Sequence, residues 1–195
     1  MVRPRQTSDE WLLACAEQAL VADGPHRWTL AGAAARAGVS AATYVNRFGS
    51  KDEVVRALSR RWIASISPGI AAAVAGGPPG HQQVLTATLW GFGDLDDADR
   101  AGLHLSALAG DLVDPQLRDL LGEGWALVQQ EVAALVATAH RAGELLAGPA
   151  PVRAARMLTS LANGTSLDWS VRPQGRLLTR LREDVGSLLD TWGTA

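Results

Sequence analysis

Asn46 and Arg47 stand side by side near the end of the run Ala41-Ala-Thr-Tyr-Val-Asn-Arg-Phe48. A carboxamide offers one donor edge and one acceptor edge, and a guanidinium offers a planar fork of donors. Both suit paired hydrogen bonds to a flat heteroaromatic ring. Tyr44 and Phe48 fall four apart, so they share one face of a helix. With that face turned inward, Ala41, Ala42, Thr43, Val45, Asn46 and Arg47 form the outward strip. The residues just upstream explain how such a strip would be held. Thr29 is a good N-cap, and Leu30 and Ala34 stand at i, i+4 in a helix-compatible run. Gly38 sits where that helix must end in a left-handed residue, a conformation that costs least without a Cβ. Val39 is the apolar peg of the turn, and Ser40 caps the next helix. Helix, short glycine turn and second helix make the helix-turn-helix pattern, whose second helix enters the major groove of DNA. In that setting Arg47 suits guanine, Asn46 suits adenine, and Thr43, Val45 and the alanines can meet thymine methyls. Tyr44 divides between core packing, with its hydroxyl at the edge, and a phosphate contact.

Ser50-Lys51-Asp52-Glu53 follows at once and reads as a capping box, Ser to Glu at three residues. Lys51 is the chain's one lysine and lies in the first turn of that helix, where the dipole disfavours a cation. A phosphate outside the protein reverses that preference. Taken singly, each of these positions is also a common solvated residue; their shared register is what selects them.

The segment resembles the DNA-binding domain of the tetracycline-repressor (TetR) family of bacterial transcriptional regulators. The resemblance rests on Thr29-Leu30, Ala34, Ala37-Gly38-Val39-Ser40, Thr43, Phe48 and Ser50-Lys51-Asp52 in register. The departures are Ala33 in the family's Ile slot, Ala42 in its Gly slot, Val45 in its Tyr slot and Tyr44 in its Leu slot. The match covers residues 29–53. It implies that Thr29, Ser40 and Lys51 contact phosphates. It also implies an effector-binding and dimerisation domain in the rest of the chain, with the last two helices pairing across a two-fold axis.

Composition bears on the same question. The 195 residues carry a net charge of −2, which alone argues against a nucleic-acid partner. The distribution argues otherwise, since residues 1–61 are net +3 and residues 62–195 net −5. One cysteine, Cys15, excludes an internal disulfide and a four-cysteine zinc site; its place in an amphipathic helix fits a small core residue. Asp9, Glu10 and Glu17 interrupt any leader-like apolar run, and glycines and prolines break the charge-free stretch 62–93. A cytoplasmic protein is expected. The four histidines (26, 81, 104, 140) show no i, i+4 pairing, and no phosphate loop or nucleophile–base signature appears. Neither an enzyme, a metal site nor a cofactor is expected. Four aspartates at 94, 96, 97 and 99 lack the glycine and distal glutamate of a calcium loop.

An all-α chain of about nine helices must position these residues. Residues 1–6 read as a basic arm, and Thr7 with Glu10 as a capping box opening a helix to about Ala22. The helix from Ser50 is expected to end or kink at Pro68. Further helices are expected over His81–Phe92, about Ala98–Ala109, Pro115–Arg141 (Asp114 as N-cap), Val152–Val171 and from Leu177 to Trp192. The domains divide as residues 1–50, the three-helix helix-turn-helix head, and 51–195, the ligand-binding and dimerisation part with 51–67 as connector. Trp90, Phe92, Leu103, His104, Leu108, Trp125, Val128, Gln129, Met157, Leu161 and Asn163 could line an apolar cavity with few polar anchors; each is also compatible with ordinary core packing. The expectation is a ligand-responsive regulator. It would bind a palindromic operator in double-stranded DNA as a homodimer and be released by a small, mostly apolar effector. The alternative is a ligand-sensing or protein-binding helical module that has lost sequence-specific DNA binding.

Overall fold

The computed structural model describes residues 8–77 and 80–193, apart from the side chain of Asp94, so the basic arm and Thr7 lie outside the described residues. Among the described residues there are nine α-helices and no strand: α1 (Asp9–Asp23), α2 (Leu30–Ala37), α3 (Ala41–Phe48), α4 (Lys51–Val74), α5 (His81–Thr88), α6 (Ala98–Val113), α7 (Pro115–Arg141), α8 (Pro151–Val171) and α9 (Leu177–Asp190). A 3-10 turn at Gly93–Leu95 precedes α6. The chain divides into two compact units. One runs to Trp62 and includes Ser106–Leu120; the other holds Ile63–Leu105 and Leu121–Ala195.

In the first unit, α1 packs on α2 and α2 on α3. Their shared core is Leu12, Leu13, Ala16, Ala19, Trp28, Ala33, Ala34, Tyr44 and Val54. Small residues on α2 allow this close approach: Ala33 and Ala34 are both buried, and a larger side chain at either would push the helices apart. The N-cap of α1 is Ser8 rather than Thr7. Its hydroxyl accepts the Trp11 N–H at 3.2 Å, a bond whose spacing places the helix start one residue later than expected. Trp11 in turn donates its indole N–H to the Ala37 carbonyl, tying α1 to the end of α2. Arg61 on α4 bonds both Glu10 and Glu17 of α1. His26, in the loop before α2, meets Ser106 of α6 at 3.2 Å. Cys15 is a buried core residue whose thiol pKa is pushed up by burial, against a smaller opposing effect of Arg36. That makes it less reactive.

In the second unit, α8 and α9 form the main pair, and α5 packs against both. The stripe of α9 is buried at Leu177, Leu181, Val185 and Leu189, as its period predicts. Trp192 lies past the helix end yet stays buried, its carbonyl accepting the Ala147 N–H. Asp96 fastens the turn before α6 to the start of α9, accepting from Arg176 Nε and from Leu178 N–H. Burial works against ionisation of that carboxyl. The Arg176 hydrogen bond, the Leu178 N–H and the Arg176 charge together outweigh it and hold the group below the usual range.

Three expected helix boundaries shift. Of the end or kink expected at Pro68, the end is not found: the fourth helix passes through Pro68 to Val74. Ile66 and Ile70 flank the proline and are fully buried, and Gly69 lies directly beneath the Trp90 indole. A Cβ at Gly69 would sit 2.6 Å from Trp90 Cζ2, so glycine alone permits this contact. Packing on both sides thus offsets the hydrogen bond that proline removes. The same contact explains why α5 stops at Thr88 rather than Phe92. The Leu89 N–H still bonds Leu85, but the Trp90 N–H bonds Ala87, tightening the chain into a turn that accompanies the seating of Trp90 on Gly69. Farther on, α6 extends to Val113, beyond Ala109. The start of α7 is as expected, with Asp114 accepting the N–H groups of Gln116 and Leu117.

Candidate nucleic-acid interface

The interface is built upward from two caps. Thr29 Oγ1 accepts the Gly32 N–H at 3.0 Å and opens α2. Gly38 closes α2 in the left-handed conformation at φ 70°, and the Val39 N–H returns to the Ala34 carbonyl. These bonds set the turn that aims α3. Ser40 occupies the N-cap position, but its hydroxyl meets Thr43 Oγ1 at 3.2 Å instead of accepting a backbone N–H. The Thr43 N–H donates to the Ser40 carbonyl at 3.0 Å, which leaves the N–H groups of Ala41 and Ala42 for an outside acceptor, the property that makes a helix N-terminus an anion site.

Tyr44 is fully buried, and its hydroxyl donates to the Leu12 carbonyl at 2.7 Å. Its ring lies 6.0 Å from that of Phe48. Burial, with a smaller push from Cys15, raises the phenol pKa to about 12. The sequence left Tyr44 divided between core packing and a phosphate contact to DNA; the geometry is that of packing, with the hydroxyl inside the core rather than at its edge. Its job is to anchor α3 to α1. With Tyr44 inward, Ala42, Val45, Asn46 and Arg47 are exposed and Ala41 and Thr43 half-buried. Val45 is 48 % exposed, an apolar side chain on the outward strip.

Arg47 and Lys51 acquire partners that the sequence did not suggest. Arg47 Nε lies 3.2 Å from Asp9 Oδ1, with both side chains largely exposed. Such a pair contributes little in water, about 0–1 kcal/mol, and yields readily to a stronger anion. It does hold the guanidinium beside the strip. Lys51 Nζ lies 4.8 Å from the ring centre of the buried Trp28, a cation–π seat that limits where the ammonium can go. Ser50 caps α4 through the Glu53 N–H as expected. The Arg56 hydrogen bond is the main reason Glu53 has a lowered pKa. Asp9 left no sequence signal because it is distant along the chain. Trp28 left a weak one, its adjacency to the cap Thr29.

The expected ligand-lining residues do not converge so clearly. Trp90 is half-buried on Gly69. Phe92, Leu103, Leu108, Val128, Gln129 and Leu161 are half-buried, while His104, Trp125, Met157 and Asn163 are exposed. A cavity of about 250 Å³ lies between α5 and α9, and none of these residues lines it. Among the described residues no group of three or more His, Cys, Asp or Glu is placed to hold a metal ion. No helix among them is long and apolar enough to cross a membrane.

A family model described as the C-terminal part of BetI-type transcriptional repressors matches residues 79–192. The chain belongs to the TetR family of transcriptional regulators. Solved structures share its all-helical fold. One is a protein from Saccharomonospora viridis classed as a transcriptional regulator, in complex with choline. It is 17% identical with a TM-score of 0.76, covering 93% of this chain and 94% of its own. The transcriptional regulator FadR from Bacillus subtilis, in complex with stearoyl-CoA, is 16% identical with a TM-score of 0.72, covering 94% and 99%. SmeT, the repressor of the Stenotrophomonas maltophilia multidrug efflux pump SmeDEF, is 23% identical with a TM-score of 0.64, covering 96% and 89%. No curated protein matches the chain at a significant level. The TetR-family assignment and the all-α, helix-turn-helix fold read from the sequence are thereby borne out.

Proposed function

We propose that this TetR-family regulator is a homodimeric, ligand-responsive repressor that binds a palindromic operator. The observation that carries the reading is the exposed strip of α3. It is fixed from behind by Tyr44 on Leu12 and bordered by Arg47 and by Lys51 on its Trp28 seat. Arg47 and Asn46 read base edges; Ala41, Ala42, Thr43 and Val45 make apolar contacts with thymine methyls. Thr29, Ser40, Lys51 and the open first turn of α3 hold phosphates. Asp9 releases Arg47 when a base takes its place. Residues 1–50 act as the DNA-binding part and 51–195 as the effector and dimerisation part.

Dimerisation through α8 and α9 is supported by the outer face of α8. Ser160, Asn163 and Gly164 are small and exposed there, next to Met157, Leu167 and Val171, of which Leu167 and Val171 are more than half exposed. Small residues permit close helix approach, and exposed apolar ones favour a partner. A two-fold pair would set its recognition helices about 34–36 Å apart, or a multiple of that. A ligand that changes the separation then breaks simultaneous docking. The neighbours bind ligands as unlike as choline and stearoyl-CoA, so the fold leaves the effector open.

The reading is tested by sedimentation and by titrating a labelled duplex from upstream of the protein's own gene. A dimer in solution and an affinity that falls by orders of magnitude as salt rises are expected. A monomer, or binding indifferent to salt, contradicts it.

A further inference from the structure

We propose that the cavity between α5 and α9 binds a small amphipathic anion, a carboxylate on a short hydrocarbon chain, with Arg182 as its charge partner. This deepens the effector-responsive reading and rests on it only for the consequence of binding. Gln82, Leu85, Thr86 and Leu89 fall at helical spacing on one side of α5, and Leu178 with Arg182 faces them from α9. The volume, about 250 Å³, lies just below the ~300–1,000 Å³ usual for drug-sized ligands, so the occupant is metabolite-sized.

The polarity of the lining selects the ligand. Leu85, Leu89 and Leu178 give an apolar floor. Arg182 is the one charged residue among those lining it. Two nearby arginines are engaged, Arg176 at the N-cap of α9 with Asp96 and Arg180 on α9 with Asp168, whereas no carboxylate whose side chain the structure describes pairs with Arg182. Thr88 donates its hydroxyl to the Val84 carbonyl. Thr86, a lining residue, makes no such bond among the described residues and keeps both donor and acceptor for a ligand. A planar guanidinium matches a carboxylate with two parallel hydrogen bonds. Among the lining residues the structure describes there is no carboxylate and no aromatic ring, the groups that hold a quaternary ammonium, so this lining favours an anion over a choline-like cation.

Calorimetry on the full-length protein, without DNA, tests this with hexanoate, hexan-1-ol and inorganic phosphate as probes. Hexanoate is expected to bind, with the alcohol and phosphate at least about tenfold weaker. Arg182→Gln should weaken hexanoate by about tenfold or more, and Thr86→Val by a smaller factor, while both variants keep the parent's melting temperature without ligand. Failure of hexanoate to bind at millimolar concentration overturns the assignment. So does equal binding of hexan-1-ol or of phosphate, or an Arg182→Gln variant that binds hexanoate as the parent does. Adding hexanoate to the protein–duplex complex separates the two readings: binding without release of DNA supports the cavity and counts against its effector role.

Discussion

The helix-turn-helix head and the α5–α8–α9 unit are both helical packs, yet they are organised by different rules. In the head, the turn and the helix starts around the strip are set by local caps, Thr29 to Gly32, Val39 to Ala34 and Ser50 to Glu53, with Tyr44 to Leu12 as the long-range tie behind them. In the second unit the defining contacts join residues far apart in the chain, as with Asp96 to Arg176 and Gly69 beneath Trp90. The head holds an exposed strip on α3 whose outward residues can be placed from spacing alone. The second unit holds a cavity whose lining depends on which helices happen to meet.

The largest expected effect sharpens the contrast. Trp28 is 1 % exposed in the head core and seats Lys51, so Trp28→Ala should cost about 3–5 kcal/mol of stability. Urea unfolding measures this, and the loss should be accompanied by weakened duplex binding. Gly69→Ala applies the equivalent stress to the second unit. Its Cβ would collide with the Trp90 ring, and a cost of about 1–3 kcal/mol is expected in the same assay. A neutral result would mean that Trp90 swings away freely and that the packing argument for the uninterrupted α4 is wrong.

Smaller still is Tyr44→Phe. It removes one buried hydrogen bond to Leu12 and should cost about 1 kcal/mol while leaving affinity for DNA nearly unchanged. A large loss of affinity at unchanged stability would return Tyr44 to the DNA contacts. The weakest effect is a pH dependence in the second unit. Asp96 has a depressed pKa in the folded state, so its stabilisation is complete above the unfolded-state value and is lost as pH falls through the folded one. Thermal melts between neutral and strongly acid pH should therefore show a steeper acid decline for the parent than for Asp96→Asn.

Legibility in the sequence follows the same division. Thr29, Gly38, Ser50 and the inward pair Tyr44 and Phe48 were readable because caps, left-handed glycines and i, i+4 pairs act within one or two turns. The alternation of buried leucines along α9 was readable for the same reason. Pro68 misled because its local preference to end a helix yields to Ile66, Ile70 and Trp90, which the spacing around it does not reveal. Arg182 was passed over because an arginine on a helix near two other arginines looks like a solvated face. Only the structure shows that Arg176 and Arg180 hold carboxylates, with none among the described side chains on Arg182. Met157, expected to line an apolar cavity, is instead 37 % exposed.

Selection of duplexes from a random pool by the parent and by Arg47→Ala tests the central claim most directly. The account predicts enriched sites with two-fold symmetry for the parent, half-sites about one helical turn or a multiple apart, and loss of one preferred base per half-site for the variant. Enrichment of no sequence by the parent, or an identical preferred site for the variant, would contradict it.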